Sequence, residues 1–311
     1  AEDVSSCIGV TKTLPKGNVK QFRIGLASCS NFPQGYFNAY RDMASKDLDL
    51  VLHLGDYIYE YPDGEYANQE ALDRLNRHVR PTHEILTLDD YRTRYGLYRT
   101  DKNLQAVHQR HPFICVWDDH ELTNDTWKTG AENHNEGEGD FLSRIRAARQ
   151  AYHEWMPIRT NSSGNQGPIF RSFQIGDLAD LMMLDTRFHG RDRGLNYHED
   201  ISRLMQWFDK SDPSNIKKIT WEEAKSLPQS SRELLKLPFD YSADKPLSSL
   251  DYNALKKISP KRLADEWISQ SDLRAFESEI LGDKNRTILG DDQEKWLSDQ
   301  ARTSVNRGAT W

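Results

Sequence analysis

An apolar run, Leu50-Val51-Leu52-His53-Leu54, leads directly into Gly55-Asp56-Tyr57-Ile58-Tyr59, and this junction constrains the fold more than any other stretch of the chain. A short continuous apolar run closed by a turn signal reads as a buried strand. Gly55 turns the backbone and throws Asp56 and Tyr59 out at the strand's carboxyl end, where open α/β sheets build their sites. Two further clusters share the design. Cys29 ends Phe22-Arg23-Ile24-Gly25-Leu26-Ala27-Ser28, and Asp118-Asp119-His120-Glu121 ends Phe113-Ile114-Cys115-Val116-Trp117. Three strands thus deliver Cys, Asp/Tyr and Asp/Asp/His to one sheet edge, the pattern of a metal site assembled from strand ends.

The segments between these clusters set the organisation. Residues 1–20 form a polar lead-in, 21–29 read as strand, 36–46 as an amphipathic helix and 49–54 as the next strand. The right-handed crossover of such a β-α-β unit makes its two strands parallel neighbours. Residues 60–88 are a polar insertion, and 89–109 carry a helical pattern that leads into the strand at 112–117. A Gly-, Asn- and Glu-rich loop at 127–140 precedes a helix at 141–154. Strands at 168–175 and 179–185, joined through Gly176-Asp177, predict an antiparallel hairpin. The stretch 190–275 is polar and reads as a helical excursion outside the central sheet, and 291–302 as a helix with an acidic first turn. Ala309-Thr310-Trp311 reads as the approach to a strand.

Composition removes several function classes. The 41 Lys and Arg are interspersed among 48 Asp and Glu, for a net charge of −7, so no basic block exists to neutralise a nucleic-acid backbone. No apolar stretch approaches the roughly 20 residues of a transmembrane helix. The beginning, Ala1-Glu2-Asp3, suits either a mature protein trimmed of an export signal or a sequence cut at that point. Three cysteines make no disulfide framework; Cys115 reads as a small buried hydrophobe, and Cys29 as a thiol placed among carboxylates that a cation would compensate. There is neither a P-loop nor a Gly-x-Ser-x-Gly elbow.

The donor types are mixed. Asp56 and Asp119 are hard oxygen donors, Asn124 a neutral one, Tyr59 a phenol and Cys29 a soft thiol. Carboxylates with an amide suit Ca²⁺, Mg²⁺ or Mn²⁺, whereas thiolate with phenolate suits a trivalent iron. The set is consistent with unlike metals bridged by Asp56, the arrangement used to clamp a phosphoryl group. Each piece alone has a plainer reading: Gly55-Asp56 as a turn, the tyrosines as packing, Asp118 to Glu121 as a helix N-terminus. Their repetition at three strand ends favours the metal. His53 reads as a core histidine, and His108, His111, His134 and His198 lack an i, i+4 partner.

Three segments together resemble the PhoD-like alkaline phosphatases and phosphodiesterases of the calcineurin-like metallophosphoesterase superfamily. They are Phe22 to Cys29, Leu52 to Glu60 and Val116 to Asn124, supported by Ala151 to Pro157, Leu184-Asp185-Thr186-Arg187, Leu289-Gly290, Gln293 and Trp296-Leu297. The resemblance implies an α/β/β/α sandwich and hydrolysis of phosphate mono- and diesters at a site holding Fe³⁺ and Ca²⁺. It implies Cys29 and Tyr59 on iron, Asp56 as bridge, Asp119 and Asn124 on the calcium side, and His120 beside the phosphate or orienting the ligands. A phosphate-ester small molecule is the implied substrate, and a secreted or periplasmic location the implied compartment.

Two departures from the family pattern shape the expectation. Only about 20 residues precede the first strand, where the family usually has an immunoglobulin-like domain, and no Gly-Asp-x-His strand end follows Trp311. The reading is therefore a lead-in at 1–20 and an incomplete catalytic domain at 21–311. The remaining ligands would come from a second chain or a segment outside this sequence. A catalytically silent metal-binding or interaction fragment, and a phospholipase D-like diesterase, are the alternative readings.

Overall fold

The three apolar runs form three short strands, β1 (Ile24–Ala27), β2 (Leu50–His53) and β3 (Phe113–Cys115). The computed structural model describes residues 8–159, 167–195, 200, 206–209, 211–212, 214–215, 217–235, 239–240, 245–246 and 276–311. The strands make one parallel sheet with β2 in the centre, Ala27 opposite His53 and His53 opposite Cys115. All three carboxyl ends therefore lie along one edge, as the sequence predicts. Every residue of β2 and β3 is buried. On the outer strand β1, by contrast, Ile24 and Leu26 are exposed.

Helices α1 (Asn38–Ser45), α2 (Gln69–Leu75), α3 (Leu88–Tyr98), α4 (Lys102–Arg110) and α5 (Phe141–Trp155) complete this part. α1 packs with α4 and α3 with α5. The core joins Leu50, Val51 and Leu52 to Tyr91, Tyr95 and Tyr98 of α3, Leu104 and Val107 of α4, and Tyr152 of α5. The single helical pattern expected over 89–109 is two helices. Asp101 caps the second by accepting hydrogen bonds from the Asn103 and Leu104 amides, and its extended backbone breaks the chain direction.

The hairpin is as predicted: β4 (Arg171–Ile175) pairs antiparallel with β5 (Ala179–Met183). Trp311 donates its amide to Leu178 O and accepts from the Asp180 amide, the pattern of a parallel pairing beside the hairpin turn. The last helix spans Asp291–Arg307.

Residues 1–193 and 287–311 form one compact unit, and Gly194–Arg286 a second. In the second unit the helical expectation for 190–275 is corrected where residues are described. Strands β6 (Gln206–Asp209), β7 (Lys217–Ile219) and β8 (Arg232–Leu235) make an antiparallel sheet with β6 in the middle. Among the described residues from 206 to 246, Trp221–Ser226, capped by Thr220, is the one α-helix. Polarity predicts exposure and says little about period, and Trp207-Phe208 and Ile219 carry β propensity. Residues 247–275 lie outside the described residues.

Candidate functional site

The backbone of the strand-end loops is built for close approach. Gly55 has φ +108°, and a Cβ there would sit 2.2 Å from the Asp118 amide nitrogen, so the turn after β2 lies directly on the turn after β3. The Cys29 amide donates to Gly55 O and the Ser30 amide to Asp56 O, which lace the β1 loop to the β2 loop. Cys29 and Asp56 both have left-handed backbones, φ 57° and 55°. Such conformations cost on the order of 1 kcal/mol each and persist where surrounding contacts over-determine them. Cys29 is held by its bond to Gly55 O, and Asp56 by a carboxylate. Glu121, fully buried, accepts from the amides of Asp56, Tyr57 and Asp118 at 2.7–3.0 Å.

Above this frame Asp56, Asp119 and His120 bring their donor atoms within 4.8 Å of one another, all three buried. Cys29 Sγ and the Tyr59 hydroxyl both reach Asp56 Oδ2, at 3.5 and 3.2 Å. Asp56 Oδ1 is buried with no hydrogen-bond partner among the described residues. Burial, with the charge of Asp118, pushes the Asp56 carboxyl above its ordinary range. Burial pushes Asp119 up to about 6, against the attraction of His120 and Arg187. Burial likewise raises the Tyr59 phenol, with Asp56 and Cys29 adding to it, and raises the Cys29 thiol. An orphaned carboxylate oxygen among acids all pushed toward their neutral forms is a donor set short of positive charge. A cation fits it.

His120 is held from behind by Glu60, itself fully buried. Nδ1 lies 2.7 Å from Glu60 Oε2, which leaves Nε2 available to the acidic cluster. Burial alone would lower His120, but the Glu60 hydrogen bond and the charges of Glu60, Asp119 and Asp56 raise it to about 9. Glu60 also accepts from Thr123 Oγ1, the Asn124 amide and Asn133 Nδ2. On the other side Arg187 bridges the β3 loop, with Nε 2.6 Å from Asp118 Oδ1 and Nη2 3.3 Å from Asp119 Oδ1. Arg94, fully buried, donates to backbone carbonyls, those of Tyr59, Tyr61, Arg80, Pro81 and His83.

The sequence-predicted residues Cys29, Asp56, Tyr59, Asp119 and His120 are thus brought together. Asn124 stands at the edge: its side-chain amide donates to Glu132 and its backbone amide to Glu60. Glu60, Glu121 and Arg187 carry no individual role in the sequence reading. Each lies within a segment noted there, but a buried charge whose partners are distant in the chain leaves no spacing signal. His53 is the core histidine expected, its Nδ1 accepting from the Gly55 amide and Nε2 facing Ser30 and Tyr40.

The sequence profile of PhoD-like phosphatases matches residues 24–311. The chain belongs to the PhoD-like phosphatase family. It is 43% identical over 196 residues to alkaline phosphatase D of Bacillus subtilis (strain 168), a match covering 61% of this chain and 33% of that protein. A solved structure described as the structure of PhoD superposes with a TM-score of 0.54 at 42% identity, over 60% of this chain and 36% of that one. The mixed α/β fold with its parallel sheet is therefore shared with a PhoD-like phosphatase. The chain spans about a third of the length of these PhoD-like relatives. Among its described residues no helix is long and apolar enough to cross a membrane.

Proposed function

We infer that this chain carries metal-site residues of an enzyme that hydrolyses phosphate monoesters and diesters. The observation that carries the reading is the convergence of Asp56, Asp119 and His120 around the unpartnered Asp56 Oδ1, with Cys29 and Tyr59 on the same carboxylate. Family membership and the alkaline phosphatase named among the relatives support the ester chemistry.

Cys29, Tyr59 and Asp56 would hold a ferric ion, and Asp56, Asp119 and Asn124 a calcium ion. Thiol and phenol suit the first, and carboxylate with amide oxygen the second. Bound there, such ions neutralise phosphoryl charge and lower the pKa of water. The chain's own residues do the rest. Glu121 fixes the spacing of Asp56 and the β3 loop through three amides, so neither carboxylate has to be ordered on binding. Glu60 holds His120 with its second nitrogen toward the cluster and keeps it protonated, placed to donate to an ester oxygen. Arg187 offsets the negative charge of Asp118 and Asp119 before a phosphate arrives. Export from the cell is part of the same reading, and fractionation of expressing cells tests it.

Elemental mass spectrometry on protein purified without chelator, paired with hydrolysis of nitrophenyl phosphate and bis-nitrophenyl phosphate, is the test. The expected result is iron with calcium, EDTA-sensitive turnover, and loss of both in Asp56→Asn. Metal-free protein that stays silent after iron and calcium are added would sink the reading and favour a non-catalytic module.

A further inference from the structure

Tyr66 is a large aromatic side chain that the hydrolytic reading leaves without a task. It is 59% exposed, yet it stands against the site, its ring centroid 5.6 Å from Tyr59, 5.4 Å from Tyr61 and 6.3 Å from His120. Its plane is tilted only 21° from that of His120 and 56° from that of Tyr61. The two tyrosines make an angled aromatic wall beginning at the cluster of Asp56, Asp119 and His120 and ending in solvent.

The wall is anchored. Tyr66 has a left-handed backbone, φ 45°, which a bulky residue adopts only when held. Its carbonyl accepts from Asn31 Nδ2 at 2.8 Å and Gln34 Nε2 at 2.9 Å, both on the loop that follows Cys29. The Tyr61 carbonyl is held by Arg94. A strained backbone fixed by two side-chain amides gains the fold nothing by presenting an aromatic ring to water. Its gain lies in a ligand that covers the ring, met by a surface whose ordering is already complete.

We propose that Tyr66, with Tyr61, forms a leaving-group subsite that takes the planar aromatic group of a phosphate ester, aryl or nucleobase, and so sets substrate preference. The proposal rests on the phosphoester reading of the cluster. With the phosphoryl group at Asp56, Asp119 and His120, the group on the leaving oxygen points along the wall and stacks on the Tyr66 ring. Tyr66 acts on affinity for one class of ester and takes no part in bond cleavage.

Phosphonates separate the two readings, because their P–C bond is not hydrolysed and binding is read alone. Phenylphosphonate and methylphosphonate would be titrated calorimetrically into the full chain loaded with iron and calcium. Wild type is expected to prefer phenylphosphonate by about three- to tenfold, the range of an aromatic pair. Tyr66→Ala should bring that ratio close to one through weaker phenylphosphonate binding, and Tyr66→Phe should keep it. Equal affinities in wild type, or an equal loss of both ligands in Tyr66→Ala, overturn the subsite and leave the hydrolase reading standing. If wild type binds neither phosphonate, the hydrolase reading falls and the subsite falls with it.

Discussion

Replacing Glu60 by Gln keeps the shape and removes one charge, which isolates what that carboxylate does. Four donors converge on it, from His120, Thr123, Asn124 and Asn133, and a Gln brings its own N–H₂ against at least one of them. His120 then loses its fixed orientation, and the Asn124 backbone loses the acceptor that positions this proposed calcium ligand, so calcium affinity is expected to fall about 10- to 100-fold. Chelator competition for calcium measures it, with far-ultraviolet circular dichroism as the fold control. Unchanged affinity would show that Glu60 does not set the site. The clustered side chains of Cys29, Asp56, Tyr59, Asp119 and His120 were legible in the sequence because each sits just past an apolar run. Glu60, Glu121 and Arg187 were not, because most of their partners lie 60 to 73 positions away in the chain.

At the scale of elements, the decisive contact is the turn after β2 against the turn after β3. Gly55→Ala puts a methyl group 2.2 Å from a backbone nitrogen, where no side-chain rotation relieves it, at a φ that disfavours any Cβ. The expected cost is on the order of 3 kcal/mol, seen as a lower urea midpoint with unchanged slope. Calcium retention should fall in the same protein, because Asp56 and Asp119, the two carboxylates proposed to hold it, are carried on those two turns. A midpoint within error of wild type would refute the close packing. The parallel order of β1, β2 and β3 was readable from their lengths and the helix between the first two. The split of α3 from α4 was not, because Asp101 acts as a cap only after Tyr98 and Leu104 are buried on either side of it. The sheet of β6, β7 and β8 was missed for a related reason: polar composition hid three strands of four residues or fewer.

For the whole molecule, two histidines make stability depend on acid. His53 is fully buried and His108 is stacked on Phe113 with its Nε2 2.9 Å from the Tyr57 hydroxyl. Burial, aided by the charge of Arg99, lowers His53 to about 3 and His108 to about 2. Unfolded histidine titrates near 6.5, so between that value and the folded ones the unfolded chain binds more protons. Stability is therefore complete above about pH 6.5 and falls as pH drops below it, by up to about 1.4 kcal/mol per pH unit for each histidine. His108→Gln should reduce that slope by one proton, and urea midpoints of both proteins at pH 7, 6 and 5 report the difference. A gap between them that stays constant with pH would rule out His108 as a contributor.

Arg94 has a further consequence for how such a protein diversifies. Its guanidinium grips the chain at Tyr59 and Tyr61 on one side, and at Arg80, Pro81 and His83 on the other. The intervening stretch is clasped at both ends by one side chain, through carbonyls that every residue type possesses. Between those grips Arg77 makes a buried ion pair with Asp101, and Ala71, Leu72 and Val79 are buried, so only exposed positions such as Tyr66 are free to vary. Change at those positions leaves the clasp intact, and with it the stations of Tyr59 and Glu60.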